Sequence, residues 1–167
     1  MRDEIDSATS GARLPWSDWA RTLPDVVGAA MAEVDSTAPA VFLTPPASAQ
    51  QLPTVRTALR RWSRAVQLES RLADDMVLAV DEAMANAVEH AYQVSAAGSD
   101  TVTVFAGRAG SRVYVVVADE GTWRPPPADA GLRGRGVAMM RVLADHFELR
   151  HTENGTTVLL GWDVRRQ

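Results

Sequence analysis

The chain has 167 residues and a formal net charge of −4, with 46% hydrophobic and 23% charged residues, the balance of one ordinary globular domain able to bury a core. Its 17 basic residues are all arginine and it has no cysteine, which excludes a lysine-bearing phosphate loop, Schiff-base chemistry, thiolate metal sites and disulfide scaffolds. The arginines are scattered, which argues against a nucleic-acid surface, and no run approaches the roughly 20 apolar residues that span a bilayer.

Asp3, Glu4 and Asp6 open the chain without the apolar stretch of a secretory signal, so a cytoplasmic protein is expected. Residues 1–13 are polar and expected to fray. From Leu14 to Val34, apolar residues fall at helical spacing at Trp16, Trp19, Leu23, Val27, Ala30, Met31 and Val34. Pro24 interrupts that pattern, which predicts a turn holding the tryptophans and then a helix over about Pro24–Val34. This piece is read either as a partner-binding or dimer-forming arm or as a cover folded back over part of the core. Residues 1–38 are accordingly an N-terminal extension, and 39–167 the main domain.

Ala40–Leu43 predicts a short strand, ended by Thr44-Pro45-Pro46. Leu52–Leu68 predicts a helix with Val55, Leu59, Trp62 and Val66 on one face and Arg56, Arg60, Arg61 and Arg64 on the other. The arginine face is either simply solvated or a docking surface. A second helix is predicted over roughly Arg71–Tyr92. Within it Glu82, Asn86 and His90 recur every four residues in an alanine-rich apolar run, which stacks them along one stripe. A helix apolar on most of its circumference is buried, so that stripe must line something that satisfies it. The choice is a self-contained polar network or the wall of a site for a phosphate-bearing, metal-bearing ligand.

Thr101–Gly107 and Arg112–Ala118 alternate as strands joined at Ala109-Gly110-Ser111, and the second runs into Asp119-Glu120-Gly121. Thr122–Gly134, with Pro125, Pro126 and Pro127, is too broken for regular structure. Gly134-Arg135-Gly136 then opens a helix to about Asp145. Phe147–Arg150 and Thr156–Asp163 are the closing strands, turned at Asn154-Gly155. The order predicts an α/β fold, a two-layer sandwich with helices on one face of a mixed, mostly antiparallel sheet.

Three further features bear on chemistry. Glycines at Gly131, Gly134 and Gly136 before a helix let backbone N–H groups approach a polyphosphate. Asp119 at a strand end is placed to accept from an exocyclic amine, with Gly121 leaving room for a planar ring. Gly155-Thr156-Thr157 adds a hydroxyl at the start of the last strand. Each is weak alone, but their order along the chain is distinctive.

That order, E-x-x-x-N-x-x-x-H, D-x-G, a glycine-rich loop and G-T-T, resembles the Bergerat-fold ATP-binding superfamily of topoisomerases, chaperones, histidine kinases and mismatch-repair proteins. D-E-A-M-A-N-A-V-E-H-A-Y, D-E-G-T-W-R-P-P and G-R-G-V-A-M-M are most similar to the anti-sigma-factor serine/threonine kinases of bacterial partner-switching systems. The resemblance covers about Ala40–Asp163. It implies ATP and Mg²⁺ as cofactors, with Asn86 as the metal ligand and Glu82 as the base that orients or deprotonates the attacking hydroxyl. It further implies Asp119, Gly121 and Thr156 at the adenine, and Gly131, Gly134 and Gly136 around the phosphates. Implied partners are a sigma factor and a STAS-type anti-anti-sigma antagonist, docked at the arginine-bearing helix near Arg56; a homodimer stays open.

The function so implied is a protein kinase that sequesters a sigma factor and phosphorylates its antagonist. The alternative is a nucleotide-responsive binding module that sequesters a partner without transfer. Glu82 favours the kinase, because a binder needs no base. A histidine-kinase catalytic domain is disfavoured, since all three histidines lie at or after His90.

Overall fold

Two alternating strands set the architecture, and the structure, a computed structural model, describes residues 13–91, 100–121 and 135–164. β2 (Val102–Ala109) and β3 (Arg112–Asp119) form a hairpin closed by the Ala109–Arg112 pair, with Gly110 at φ +59° in its two-residue loop. β1 (Val41–Leu43) pairs with β2, β5 (Gly155–Asp163) with β3, and β4 (His146–Thr152) with β5. The sheet order is β1-β2-β3-β5-β4 and each neighbouring pair is antiparallel.

The period-two pattern divides the strand residues cleanly. Val102, Val104, Val113, Val115, Val117, Val158 and Leu160 face one core, and Phe105, Tyr114, Val116 and Leu159 face another. Helices α3 (Leu52–Ala65), α4 (Ser70–Asn86) and α5 (Arg135–Leu143) cover the first face. α3 has Pro53 in its first turn, where a missing N–H costs nothing. It buries the stripe Val55, Leu59 and Trp62. α4 buries Ala73, Met76, Val77, Val80, Ala83 and Met84, and its run from Ser70 to Asn86 contains neither glycine nor proline. Two buried indoles are satisfied by carbonyl oxygens: Trp62 Nε1 donates to Pro39 and Trp162 Nε1 to Leu143, each at 2.7 Å.

Several boundaries differ from the sequence reading. The α-helix predicted to run to Tyr92 stops at Asn86 and continues as a π-helical turn, Ala87–Ala91; Tyr92 lies outside the described residues. The α-geometry ladder therefore holds for Glu82 and Asn86 but is not continued to His90. α3 ends at Ala65, where the chain turns through Gln67 at φ +57° and Leu68 donates back to the Ser63 carbonyl oxygen. The last hairpin loop is Glu153–Asn154, because Thr152 already pairs with Gly155 in β5. α5 ends at Leu143, two residues before the expected Asp145; at its other end Gly134 lies outside the described residues.

The N-terminal helices α1 (Ser17–Ala20) and α2 (Asp25–Ala32) cover the second face of the sheet. Val27, Ala30 and Met31 bury against Phe105, Tyr114, Val116 and Leu159. Trp16 packs tilted against Phe105 at a ring-centroid distance of 5.1 Å, and Trp19 against Phe42 at 5.5 Å. The cover reading of this segment thus describes its position. Among the described residues no helix is long and apolar enough to cross a membrane.

Candidate functional site

The predicted site residues within the described segments fall into two clusters on the side of the sheet covered by α3, α4 and α5. The first lies between α4 and α5. Glu82 and Asn86 are both half-buried one turn apart on α4, and the buried Gly136, in the first turn of α5, sits against both. A Cβ on Gly136 would stand 2.8 Å from Glu82 Oε2 and 3.5 Å from the Asn86 carboxamide atoms. The bare backbone of Gly136 therefore lets the Glu82 carboxylate lie directly against the start of α5.

The second cluster is at the end of β3. Asp119 shares its side of the strand with Val113, Val115 and Val117, and its backbone partner Thr156 shares one with Val158 and Leu160. One Asp119 carboxylate oxygen accepts the Gly121 N–H at 2.9 Å, and the carboxylate also receives the N–H of Thr156. Burial pushes the Asp119 carboxyl up to about 6, against the opposing pull of those two donors. Gly121 is buried beside it. Thr156 Oγ1 lies 3.5 Å from His151 Nδ1, across the next pairing of the sheet.

Sequence reasoning treated Gly155 as half of a turn and missed its contact with this cluster. At φ +134°, any Cβ on Gly155 would overlap the Asp119 carbonyl oxygen and crowd the Asp119 and Glu120 backbone. Only glycine lets β5 begin this close to the end of β3. The signal was the G-T-T run itself, read for its hydroxyl and not for its glycine. Gly131 and Gly134 lie outside the described residues.

The arginine face of α3 is partly spoken for within the chain. Arg56 Nε donates to both carboxylate oxygens of Asp81, at 2.9 and 2.7 Å, and Arg60 donates to Asp74 at 2.7 Å. These pairs tie α3 to α4 on the side opposite the sheet, and Asp81 directly precedes Glu82 in sequence. The Arg60–Asp74 pair is exposed on both sides and contributes at most about 1 kcal/mol; Asp81 is the more buried partner of the other pair.

Among the described residues no group of three or more histidine, aspartate or glutamate side chains is arranged to hold a metal ion. The oxygen donors that are present, Asn86 with Glu82 beside it, suit a hard cation that takes most of its ligands from phosphate and water. The half-buried acceptor at Asp119 and the bare backbone at Gly136 suit a ligand with an amine at one end and anionic oxygens at the other.

Residues 45–162 match the family model of the histidine kinase-like ATPase domain. The chain is also similar to the crystal structure of the RsbU and RsbW domains of Rv1364c from Mycobacterium tuberculosis, at 29% identity and a TM-score of 0.64. That match covers 78% of this chain and 34% of the other, so this chain spans about a third of that protein's length. With the fold, the two clusters and this match in hand, the chain belongs to the histidine kinase-like ATPase family.

Proposed function

We propose that the chain is an ATP- and Mg²⁺-dependent serine/threonine protein kinase that acts as an anti-sigma factor, binding a sigma factor and phosphorylating a STAS-type anti-anti-sigma antagonist. The observation that carries the reading is Glu82, a carboxylate one helical turn from Asn86, with both held against the bare backbone of Gly136. The likeness to a protein containing an RsbW domain supports the regulatory setting.

Bound Mg-ATP supplies the phosphoryl group and the charge neutralisation its transfer needs. The chain's own residues position it. Asp119, ionised and fixed by the N–H groups of Gly121 and Thr156, accepts from the adenine amine, while Gly121 leaves its ring free of side-chain contact and Thr156 supports the same edge. Asn86 offers its carboxamide oxygen to the metal. Gly136 keeps the start of α5 clear of side-chain atoms for phosphate oxygens, the part that the resemblance also gives to Gly131 and Gly134. Glu82 orients the incoming serine hydroxyl and accepts its proton. α3 presents the arginines to protein partners, with Arg61 and Arg64 outside the pairs made by Arg56 and Arg60.

The test is incubation with Mg-ATP and a STAS-domain protein from the same genome, followed by phosphoserine detection by mass spectrometry. Phosphoserine that disappears with Glu82→Ala is expected. Intact ATP binding without transfer to any such protein would replace the kinase with a nucleotide-responsive binding module.

A further inference from the structure

One row of residues crosses the sheet on the face covered by α3, α4 and α5. Val102 of β2 pairs with Asp119 of β3, Asp119 with Thr156 of β5, and Thr156 with His151 of β4. Residues paired across neighbouring strands share a face, and Val102 faces the core beneath those helices. The row is closed at one end by the fully buried Val102 and open at the other, where His151 is exposed. Between them stand the Asp119 carboxylate and the Thr156 hydroxyl. The carboxylate receives the Thr156 N–H, and Thr156 Oγ1 lies 3.5 Å from His151 Nδ1.

We infer that His151 is a positioning residue acting through Thr156: its Nδ1 accepts the Thr156 hydroxyl hydrogen bond, which leaves Oγ1 to accept from the ligand. The pair then selects a purine bearing an exocyclic amine, as adenine does, over one bearing an oxo group in its place. The inference rests on the nucleotide reading of the Asp119 cluster and deepens it, and it does not need the phosphoryl-transfer step.

A hydroxyl has one proton and two lone pairs. Turned toward the ligand, that proton would suit a purine oxygen as well as a purine nitrogen, and Thr156 would discriminate little. Donated to His151, it makes Thr156 an acceptor beside the acceptor Asp119, and an exocyclic amine has two N–H groups to offer them. An oxo group there would face both acceptors without a proton to share, and leaving a site's polar groups unpaired is what gives such a site its discrimination. The imidazole suits this part because burial holds His151 below its ordinary range. At neutral pH one ring nitrogen is therefore an acceptor, and Nδ1 is the one that meets Thr156. The ring proton then sits on Nε2.

The experiment compares ADP with IDP, its oxo counterpart, by calorimetry at neutral pH. His151→Phe keeps a planar ring at an exposed edge-strand position and removes the acceptor. It is expected to cut the preference for ADP over IDP about tenfold, with IDP affinity staying within about threefold. His151→Asn, whose carboxamide oxygen replaces Nδ1 as acceptor, is expected to restore most of the preference. Thr156→Val is expected to lose it likewise, and adding His151→Phe to Thr156→Val should cost nothing more, because the two residues act as one unit. Imidazole NMR of the ADP complex should show the His151 proton on Nε2. Equal weakening of ADP and IDP, no effect on either, or a proton on Nδ1 would overturn the inference. A wild-type chain that binds ADP and IDP equally overturns this inference alone; one that binds neither overturns the nucleotide reading with it.

Discussion

Gly136 and Glu82 are packed so closely that one added methyl on the glycine would stand 2.8 Å from the carboxylate oxygen Oε2. The obstructing atom is the far end of a flexible side chain, so Gly136→Ala displaces the carboxylate and leaves the backbone in place. In a helix that exchange also gains about 0.5–1 kcal/mol of backbone entropy. The expected variant is therefore folded, of near-unchanged stability, and about tenfold or more slower in phosphoryl transfer, because a general base acts only from a defined position. A thermal melt and a transfer assay on the same sample check both halves.

Glu82 itself separates binding from chemistry. In Glu82→Gln the side chain keeps its shape against Gly136 and loses its basicity. Affinity for ADP, measured by calorimetry, is expected to stay within about threefold, while transfer falls by about 10²–10⁴. Equal losses in both would remove Glu82 from the role of base and make it a determinant of binding.

Much of this was legible in the sequence because it depends on periodicity. Alternation placed Val102 and Val104 on one face and Phe105 on the other, where the two cores now separate them. The four-residue spacing put Glu82 and Asn86 together on one helix. What escaped was set by contacts distant in sequence. Nothing local marks Ala87 as the point where α geometry gives way to a π turn, or Gln67, a non-glycine, as the left-handed residue closing α3. Gly155 sits where a turn was expected, yet its glycine is dictated by the Asp119 carbonyl oxygen 36 residues earlier in the chain. The arginines of α3 looked free for the same reason: Asp74 and Asp81, which pair with two of them, lie on another helix.

Asp119 predicts a pH dependence with a definite sign. Burial raises its carboxyl to about 6 in the ligand-free fold, so the contribution of this group to stability is full below the ordinary carboxylate range and is lost as pH rises through about 6. An amine-bearing ligand reverses the preference, because it needs the ionised acceptor. ADP affinity should therefore strengthen as pH rises through about 6, and the melting shift given by ADP should grow from about pH 5 to about pH 7. His151, lowered by burial and near Thr156, is the other group to control; the inflection is expected to survive His151→Gln. Asp119→Asn, which loses the charged acceptor, is expected to weaken ADP roughly hundredfold.

The N-terminal segment gives the last test, because its packing decides between a permanent cover and a detachable arm. Met31 is 5% exposed and Val27 is fully buried, both against the sheet face that carries Phe105, Val116 and Leu159. If the segment is held through the whole folded lifetime, Met31→Ala leaves a hole in a closed core and costs about 2–3 kcal/mol of global stability. Denaturant unfolding should then lose midpoint without losing slope, since the same surface is exposed on unfolding. If instead the segment detaches ahead of the rest, Met31→Ala shifts only that early step, and an environment-sensitive dye should bind the uncovered Phe105 face before the sheet melts. The aromatic contacts of Trp16 with Phe105 and Trp19 with Phe42 add roughly 0.5–1.5 kcal/mol each beyond area burial and span both ends of that face. The first outcome is therefore expected: one cooperative transition, with tryptophan fluorescence and far-ultraviolet circular dichroism changing together.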